Sequence, residues 1–145
     1  FYVLDESDWV CALPILPDGR ILVVEQYRHG AQALTWELPA GDIDAGEDPV
    51  TALRREVAEE TGHAVIGDPV PLGVFHPEPA RNRSRGHAFL VTVATGAGTQ
   101  ALDEGEDIRV LRLTSAEVDA AMDDGRFSHA VHVAAVLRAR QRGLW

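Results

Sequence analysis

The sequence predicts a mixed α/β or α+β sandwich. The first half alternates short apolar, β-branched stretches with turn residues, and stretches of helical periodicity follow. The length of 145 residues fits one domain, and 46% hydrophobic with 25% charged residues is ordinary for a globular protein. Because the chain begins at Phe1 and not at Met, we expect residues 1–145 to be a single domain that lacks an N-terminal segment.

Strands are predicted first. Two apolar segments, Trp9–Leu16 and Arg20–Gln26, flank the turn sequence Pro17-Asp18-Gly19, a pattern typical of a β-hairpin. A short strand, Leu34–Leu38, precedes an acidic loop. Three further strands are expected at Pro71–Phe75, His87–Ala94 and Ile108–Leu113.

Three helices are predicted from their end signals. Asp48 is a suitable N-cap for a helix that starts at Pro49 and stops at Gly62. Thr114-Ser115-Ala116-Glu117 is a possible capping box for a second helix, which ends near Gly125. The last helix runs from Ser128 to Gln141.

Composition excludes several classes of function. Acidic residues number 23 against 13 basic ones, all arginine, so the net charge is −10. Such a chain is a poor partner for nucleic acid or an anionic membrane, and without lysine it has no Schiff-base or P-loop lysine. A single cysteine, Cys11, excludes an internal disulfide and a cysteine-based zinc site. With no signal peptide or membrane span in the sequence, we expect a cytoplasmic protein.

Almost all of the net charge lies in two short segments. Residues 41–62 carry a net charge of −5 and residues 103–107 a net charge of −4. Dense carboxylate repels itself, so a cation is expected near both segments, and we expect them to converge in space.

The first segment places Glu56, Glu59 and Glu60 within an arc of about 100° on one helix. Oxygen ligands on one ridge favour a hard divalent ion, Mg²⁺ or Mn²⁺, over zinc. A merely solvated glutamate-rich helix is the alternative interpretation of this ridge alone.

The surrounding pattern resembles the Nudix box, G-x5-E-x7-R-E-U-x-E-E-x-G-U, where U is a bulky aliphatic residue. Its matching positions are Gly41, Glu47, Arg55, Glu56, Val57, Glu59, Glu60 and Gly62. His63 stands where the last aliphatic residue is usual, and we interpret it as a local change of packing.

The resemblance implies an α/β/α sandwich with a mixed sheet and a loop–helix–loop that holds Mg²⁺ or Mn²⁺. It implies metal ligation by Glu56, Glu59 and Glu60, with Arg55 orienting the glutamates. Gly41, Glu47 and Gly62 would stabilise the loop, or Glu47 would reach the metal through water. Nudix enzymes hydrolyse a nucleoside diphosphate linked to another group.

The flanks resemble the ADP-ribose pyrophosphatase branch of that family. The stretches Glu25–Arg28 and Trp36–Gly41 are similar to its "QYR" and "WELPAG" stretches. That branch also carries a proline about sixteen residues past the box, and here Pro79 lies sixteen residues past His63. The resemblance implies that Arg28 contacts the phosphate or ribose, that Glu37 accepts a hydrogen bond from adenine, and that the Ala40 carbonyl binds metal. A surface ion pair for Arg28 and a solvated Glu37 are the alternatives.

Other residues keep two interpretations. Trp9 and Trp36 would either stack on adenine or pack in the core. Glu106 would be a metal ligand or general base by resemblance, with Glu104 as the alternative base, or both would lie in a plain acidic turn. Arg81, Arg83 and Arg85 would bind phosphate or form a solvated basic loop. His129 and His132 are expected to be structural.

The leading hypothesis is Mg²⁺-dependent hydrolysis of ADP-ribose, or of another ADP-sugar; ADP-ribose would give AMP and ribose 5-phosphate. A Nudix hydrolase of another sugar nucleotide, a dinucleotide or a damaged nucleoside triphosphate is the second hypothesis, and a non-catalytic ADP-ribose-binding sensor is the third. Members of this branch often pair, so a homodimer is expected.

Overall fold

The computed structural model describes residues 1–145, which form seven strands and three helices. The strands are β1 (Trp9–Ile15), β2 (Ile21–Arg28), β3 (Ala33–Glu37), β4 (Ala40–Asp42), β5 (Val65–Phe75), β6 (Gly86–Val93) and β7 (Arg109–Leu113). The helices are α1 (Pro49–Thr61), α2 (Ser115–Asp123) and α3 (Ala130–Gln141). None of the three has the length and apolar character needed to cross a membrane.

A split in the mixed sheet creates the opening where the site forms. Strands β1 and β2 pair only at the hairpin end, where Ile15 lies opposite Ile21. Beyond that point β3 pairs with β2, and β4 pairs with β1. The other edge of β1 is parallel to β6. Glu37 at the end of β3 and Ala40 at the start of β4 therefore lie on either side of the split.

The central strands bury both of their faces, as alternation along β1 shows. Val10 and Ala12 belong to one apolar cluster, together with Leu53 and Val57 of α1. Cys11 and Leu13 belong to the other, whose helical members come from α2 and α3: Val118, Ala121, Val131, Ala135, Val136 and Ala139. Helices thus cover both faces of a mixed sheet, and the predicted α/β/α sandwich is confirmed.

The predicted ends of α1 and α2 are confirmed. The Asp48 carboxylate accepts hydrogen bonds from Val50 N (3.0 Å) and Thr51 N (3.1 Å). Gly62 closes α1 with φ of 71°, a left-handed conformation that favours glycine. The Thr114–Glu117 capping box is present at the start of α2.

Two strands differ from the sequence prediction. Strand β4 was expected to be loop, because three residues are too few to show periodicity. Strand β5 extends from Val65, and not from Pro71, since irregularities in its pairing accommodate Gly67, Asp68 and Pro69. It lies at the edge of the sheet, where proline is tolerated because one side of the strand needs no hydrogen bonds.

Candidate active site

One open cleft of about 880 Å³ lies at the split of the sheet and collects most of the predicted site. Its acidic lining residues are Glu37, Asp42, Asp44, Glu56, Glu59, Glu60, Asp103 and Glu106. Its other lining residues include Trp9, Arg28, Arg55, His129 and His132. The two acidic segments therefore converge, as the charge pattern predicts.

Arg55 organises the entrance to α1. Its Nε and Nη2 donate to the two carboxylate oxygens of Glu47, at 3.1 and 2.9 Å, and its Nη1 donates to Glu56 Oε1 at 2.5 Å. Nη1 also reaches Glu59 at 3.4 Å, and Nη2 donates to the Asp42 carbonyl. One guanidinium thus ties the preceding loop to the carboxylate ridge. These hydrogen bonds raise the pKa of Arg55, and the bonds to Glu47 contribute most.

Gly41 makes room for Glu56. A Cβ at position 41 would lie 2.1 Å from the carboxyl carbon of Glu56, so no larger residue fits while that carboxylate keeps its place. Burial raises the pKa of Glu56, and the hydrogen bond and charge of Arg55 lower it by a smaller amount. The charges of Glu59 and Glu106 add to the increase. The glycine therefore holds a partly desolvated carboxylate close to the backbone of β4.

Glu60 is a buried carboxylate without a basic side chain bound to it. Glu60 is 4% exposed, and its Oε2 accepts a hydrogen bond from Ala40 N at 3.0 Å. Burial is the main cause that raises the pKa of Glu60 to about 8. The charges of Glu56 and Glu106 also raise this pKa, and they outweigh the lowering effect of the Arg28 charge. At neutral pH such a group favours a proton or a cation.

The loop before β7 brings Glu106 to this ridge. Glu106 Oε2 accepts from Asp103 N at 2.9 Å, and both residues line the cleft. Glu104 is exposed and lies outside the cleft lining, so the alternative general base of the sequence analysis is not positioned there. Both glutamates are exposed, and only Glu106 lies in the cleft lining.

The same loop is fastened to the end of α1. Gly98 N donates to the Gly62 carbonyl at 2.6 Å, and Ala101 N donates to the Glu59 carbonyl at 2.9 Å. The Gln100 side chain donates to the carbonyls of Glu60 (2.6 Å) and Ile108 (3.1 Å). A Cβ on Gly62 would meet the Gly98 oxygen at 2.5 Å, so the glycine both ends the helix and admits the loop.

Arg28, Thr35 and Glu37 form the opposite wall. Arg28 Nε and Nη2 donate to the two oxygens of Glu37 at 2.8 and 2.6 Å, and Thr35 Oγ1 donates to Oε1 at 2.6 Å. Burial raises the pKa of Glu37, but the bonds from Arg28 and Thr35 outweigh it and hold the pKa at about 2. Arg28 and Glu37, expected separately as substrate contacts, pair with each other and both face the cleft.

Among the remaining candidates, Trp9 lies in the cleft and Trp36 does not. The Trp9 ring lies against Gly86, where a Cβ would be 2.7 Å from it. Trp36 packs against the core, donates from its indole nitrogen to Glu25 at 2.7 Å, and carries the Arg126 guanidinium 4.1 Å above its ring. Both rings pack against the core, and of the two only Trp9 also lines the cleft.

The arginine triplet lies outside the cleft. Arg81 pairs with Glu78, Arg83 with Asp5 at 3.7 Å, and Arg85 with Asp8 at 2.7 Å. These acids come from the same loop and from the N-terminal segment, so the triplet fastens that segment to the body of the protein.

Some cleft residues were missed by the sequence analysis. Asp103 belongs to the acidic cluster but to no motif, and only the clustering could have indicated it. His129 and His132 were expected to be purely structural, yet both line the cleft. His63 is buried and pairs with the Ala94 carbonyl at 2.7 Å, in agreement with a packing role.

The donor set fits a hard divalent cation, although no three acidic or histidine side chains stand at coordinating distances in this conformation. One oxygen of Glu56 is taken by Arg55 and one of Glu60 by Ala40 N, and the second oxygen of each has no protein donor. Carboxylate oxygens crowded together with raised pKa are the ligand type that Mg²⁺ and Mn²⁺ accept.

Comparisons with known proteins agree with this geometry. A family model described as the NUDIX domain matches residues 8–135. An ADP-ribose pyrophosphatase of Bacillus subtilis is 29% identical over 106 residues, which are 72% of this chain and 57% of that protein, so the chain spans little more than half of that relative. A MutT-like protein of Streptomyces ambofaciens is 34% identical over 113 residues, 78% of this chain and 67% of that protein.

The fold has a close counterpart among solved structures. The crystal structure of an ADP compounds hydrolase superposes with a TM-score of 0.81 at 24% identity, covering 92% of this chain and 71% of that chain. At this identity the likeness concerns the fold alone.

Proposed function

The chain belongs to the Nudix family, and from that membership we propose that it hydrolyses the pyrophosphate of a nucleotide sugar, with ADP-ribose as the leading substrate and AMP and ribose 5-phosphate as products. The observation that carries this proposal is Glu60, a buried carboxylate that has no cationic partner and faces a second acidic segment across the cleft.

The residues that would hold Mg²⁺ or Mn²⁺ are Glu56, Glu60, Glu59, Glu106 and the carbonyl of Ala40. When bound, such an ion polarises phosphoryl oxygens and lowers the pKa of water. Its charge would offset part of the negative charge of these carboxylates, which would reduce their repulsion of a polyanionic substrate.

The chain's own residues orient the reaction. Water attacks one phosphorus, the bond from that phosphorus to the bridging oxygen breaks, and the bridging oxygen leaves with the other phosphate. The proton of the attacking water goes to the carboxylate of Glu106, which the loop before β7 directs into the cleft. Arg55 keeps Glu56 and Glu47 in place throughout.

The substrate would lie between the two walls. Its pyrophosphate would lie on the α1 ridge, and Arg28, Glu37 and Trp9 would contact the nucleoside or the sugar. The fixed pairing of Arg28 with Glu37 presents one formally neutral unit to the ligand, which suits an uncharged base or sugar.

A substrate panel tests the proposal. The protein is incubated with ADP-ribose, ADP-glucose, a dinucleoside polyphosphate and an oxidised nucleoside triphosphate, each with Mg²⁺, Mn²⁺ or EDTA, and AMP and phosphate are measured. Release of AMP from ADP-ribose that EDTA abolishes is expected. Turnover of another nucleotide in place of ADP-ribose would overturn the substrate, and calorimetric binding of ADP-ribose without any product would indicate a sensor.

A further inference from the structure

Two histidines on the cleft wall carry ring nitrogens with no hydrogen-bond partner. His129 Nδ1 and His132 Nε2 are buried, and no protein group pairs with either atom. His129 precedes α3 and His132 lies in its first turn, and both line the cleft. An unpaired buried polar atom costs about 1–3 kcal/mol, so two such atoms beside each other point to a missing ligand group.

The hydrogen bond to Leu38 fixes the tautomer of His132. Leu38 N donates to His132 Nδ1 at 3.2 Å, so Nδ1 is an acceptor and the proton of the neutral ring sits on Nε2. His132 is only 1% exposed. Its Nε2–H is therefore a fully desolvated donor, held in position by the backbone beside the split of the sheet.

The two rings cannot satisfy each other. They are stacked, with centroids 3.9 Å apart and planes inclined by 16°, whereas a ring N–H donates within its own plane. Burial lowers the pKa of both histidines, and the neighbouring ring lowers that of His132 further. Glu37, the carboxylate whose charge acts on both rings, already accepts hydrogen bonds from Arg28 and Thr35.

His129 is positioned to move. Its side chain makes no hydrogen bond and does not cap α3, and it is held by stacking on His132 and by the edge contact with Trp9 at 5.4 Å. It also lines a second cavity of about 580 Å³, which shares Trp9 and Asp42 with the main cleft. A turn of this side chain would widen the cleft beside His132 without breaking a hydrogen bond.

We propose that His129 and His132 form a subsite for an uncharged hydrogen-bonding group of the substrate, a base edge or a sugar hydroxyl, and that His129 turns aside to admit it. The ligand atom accepts from His132 Nε2–H and pairs with His129. This inference rests on the proposed function for the identity of the substrate, and it assigns the contacts of the part beyond the pyrophosphate.

The test uses the two proposed products as probes, because neither is consumed. AMP and ribose 5-phosphate are titrated separately with Mg²⁺ into the protein, and the ring signals of His129 and His132 are followed by NMR. A shift of both rings with AMP assigns the subsite to the nucleoside, and a shift with ribose 5-phosphate assigns it to the sugar. Signals of α1 show when a probe is bound. If the ring signals of His129 and His132 then shift with neither probe, the proposal is overturned.

Matched variants separate ligand binding from structure. His132→Asn retains an acceptor for Leu38 N and loses the distal donor, whereas His132→Gln retains a donor near Nε2. We expect the dissociation constant of the active probe to rise about tenfold in His132→Asn and clearly less in His132→Gln. Equal affinity of His132→Asn and the native protein would overturn the role of His132.

His129 has its own pair of variants. His129→Phe keeps a stacking ring without nitrogens, and His129→Asn keeps a polar group near Nδ1. Weaker probe binding in His129→Phe than in His129→Asn is expected, and the reverse order contradicts the proposal. Hydrolysis of ADP-ribose is measured in parallel: if the native protein cleaves none, the proposed function fails, while the ring shifts still decide the subsite.

Discussion

Glu37 and Glu60 lie in the same cleft and are almost equally removed from solvent, at 2% and 4% exposure, yet their acidities differ widely. The pKa of Glu37 is held at about 2, and that of Glu60 is raised to about 8. Burial acts on both in the same direction, so the difference lies in their partners. Glu37 has a bidentate arginine and a threonine hydroxyl, whereas Glu60 has one backbone amide and two carboxylate neighbours.

The comparison separates two uses of a buried carboxylate. The Glu37 wall is electrostatically complete within the chain and serves as a rigid surface. The Glu60 ridge is incomplete, because its charges find balance only in a cation or a proton from outside. Four changes can break or sharpen this distinction.

The largest effect is expected from Glu60→Gln. Loss of a charged ligand should lower the rate of AMP release from ADP-ribose at least about a hundredfold, since a bound metal supplies several kcal/mol of transition-state stabilisation. Asp123→Asn, an exposed acid-to-amide change on α2, is the control and should leave the rate unchanged. A near-native rate for Glu60→Gln would refute its place on the ridge.

Gly41→Ala tests the ridge without changing any charge. The added methyl group would displace the Glu56 carboxylate, and we expect activity to fall about 10–100-fold, with a higher Mg²⁺ requirement. Gly96→Ala is the matched control, because a Cβ there meets nothing within 4 Å. If both variants keep native activity in a Mg²⁺ titration, Glu56 does not depend on its place beside β4.

Glu37→Gln tests the opposite wall through stability. Arg28 would lose its bidentate partner, and because its side chain is 46% exposed we expect only about 1–3 kcal/mol of destabilisation in urea unfolding. Asp119→Asn, which breaks the exposed pair with Arg140, should cost less than about 1 kcal/mol. Glu60→Gln should not destabilise the cation-free protein at pH 8, and a loss as large as that of Glu37→Gln would contradict the comparison.

The smallest effect is a pH dependence of stability with opposite sign at the two sites. Because the folded pKa of Glu60 lies above 4.5, its contribution is present below that pH and is lost as pH rises toward 8. The contribution of Glu37 is present above 4.5 and is lost as pH falls toward 2. His129 and His132, whose pKa values are lowered, act in the opposite direction over part of the same range. The contribution of Glu60 is therefore measured as the Tm of the cation-free native protein minus that of Glu60→Gln, and this difference should fall between pH 5 and 8.

Saturating Mg²⁺ should remove that fall, because the cation replaces the proton on the ridge. A Tm difference between the native protein and Glu60→Gln that stays constant or rises with pH in EDTA would show that Glu60 is already balanced within the chain.

Sequence reasoning reached the ridge because its residues are close along the chain. Asp48, Gly62 and the three glutamates of α1 follow from local rules of capping and helical spacing. The pairing of Arg28 with Glu37 could not be predicted, because the two residues lie nine positions apart on neighbouring strands and become partners only through the register of β2 and β3. Strand β4 depends in the same way on the split between β1 and β2.

The histidine wall marks a different limit. The spacing of His129 and His132 is visible in the sequence, but their unpaired atoms are not. These depend on Leu38 N reaching one ring from a distant strand end. A buried atom without a hydrogen-bond partner results from three-dimensional packing, so it cannot be predicted from the sequence pattern.

The fastening of the loop before β7 has a consequence for how the protein opens. Gly98 and Ala101 lie in irregular chain, but their amides donate to carbonyls at the end of α1, and Gln100 joins that end to Ile108. Backbone amides of this loop should exchange with deuterium at the pace of the last helical turn and not at the pace of a free surface loop. We therefore expect the segment that carries Glu106 to open together with the end of α1, which carries Glu60, as one cooperative unit.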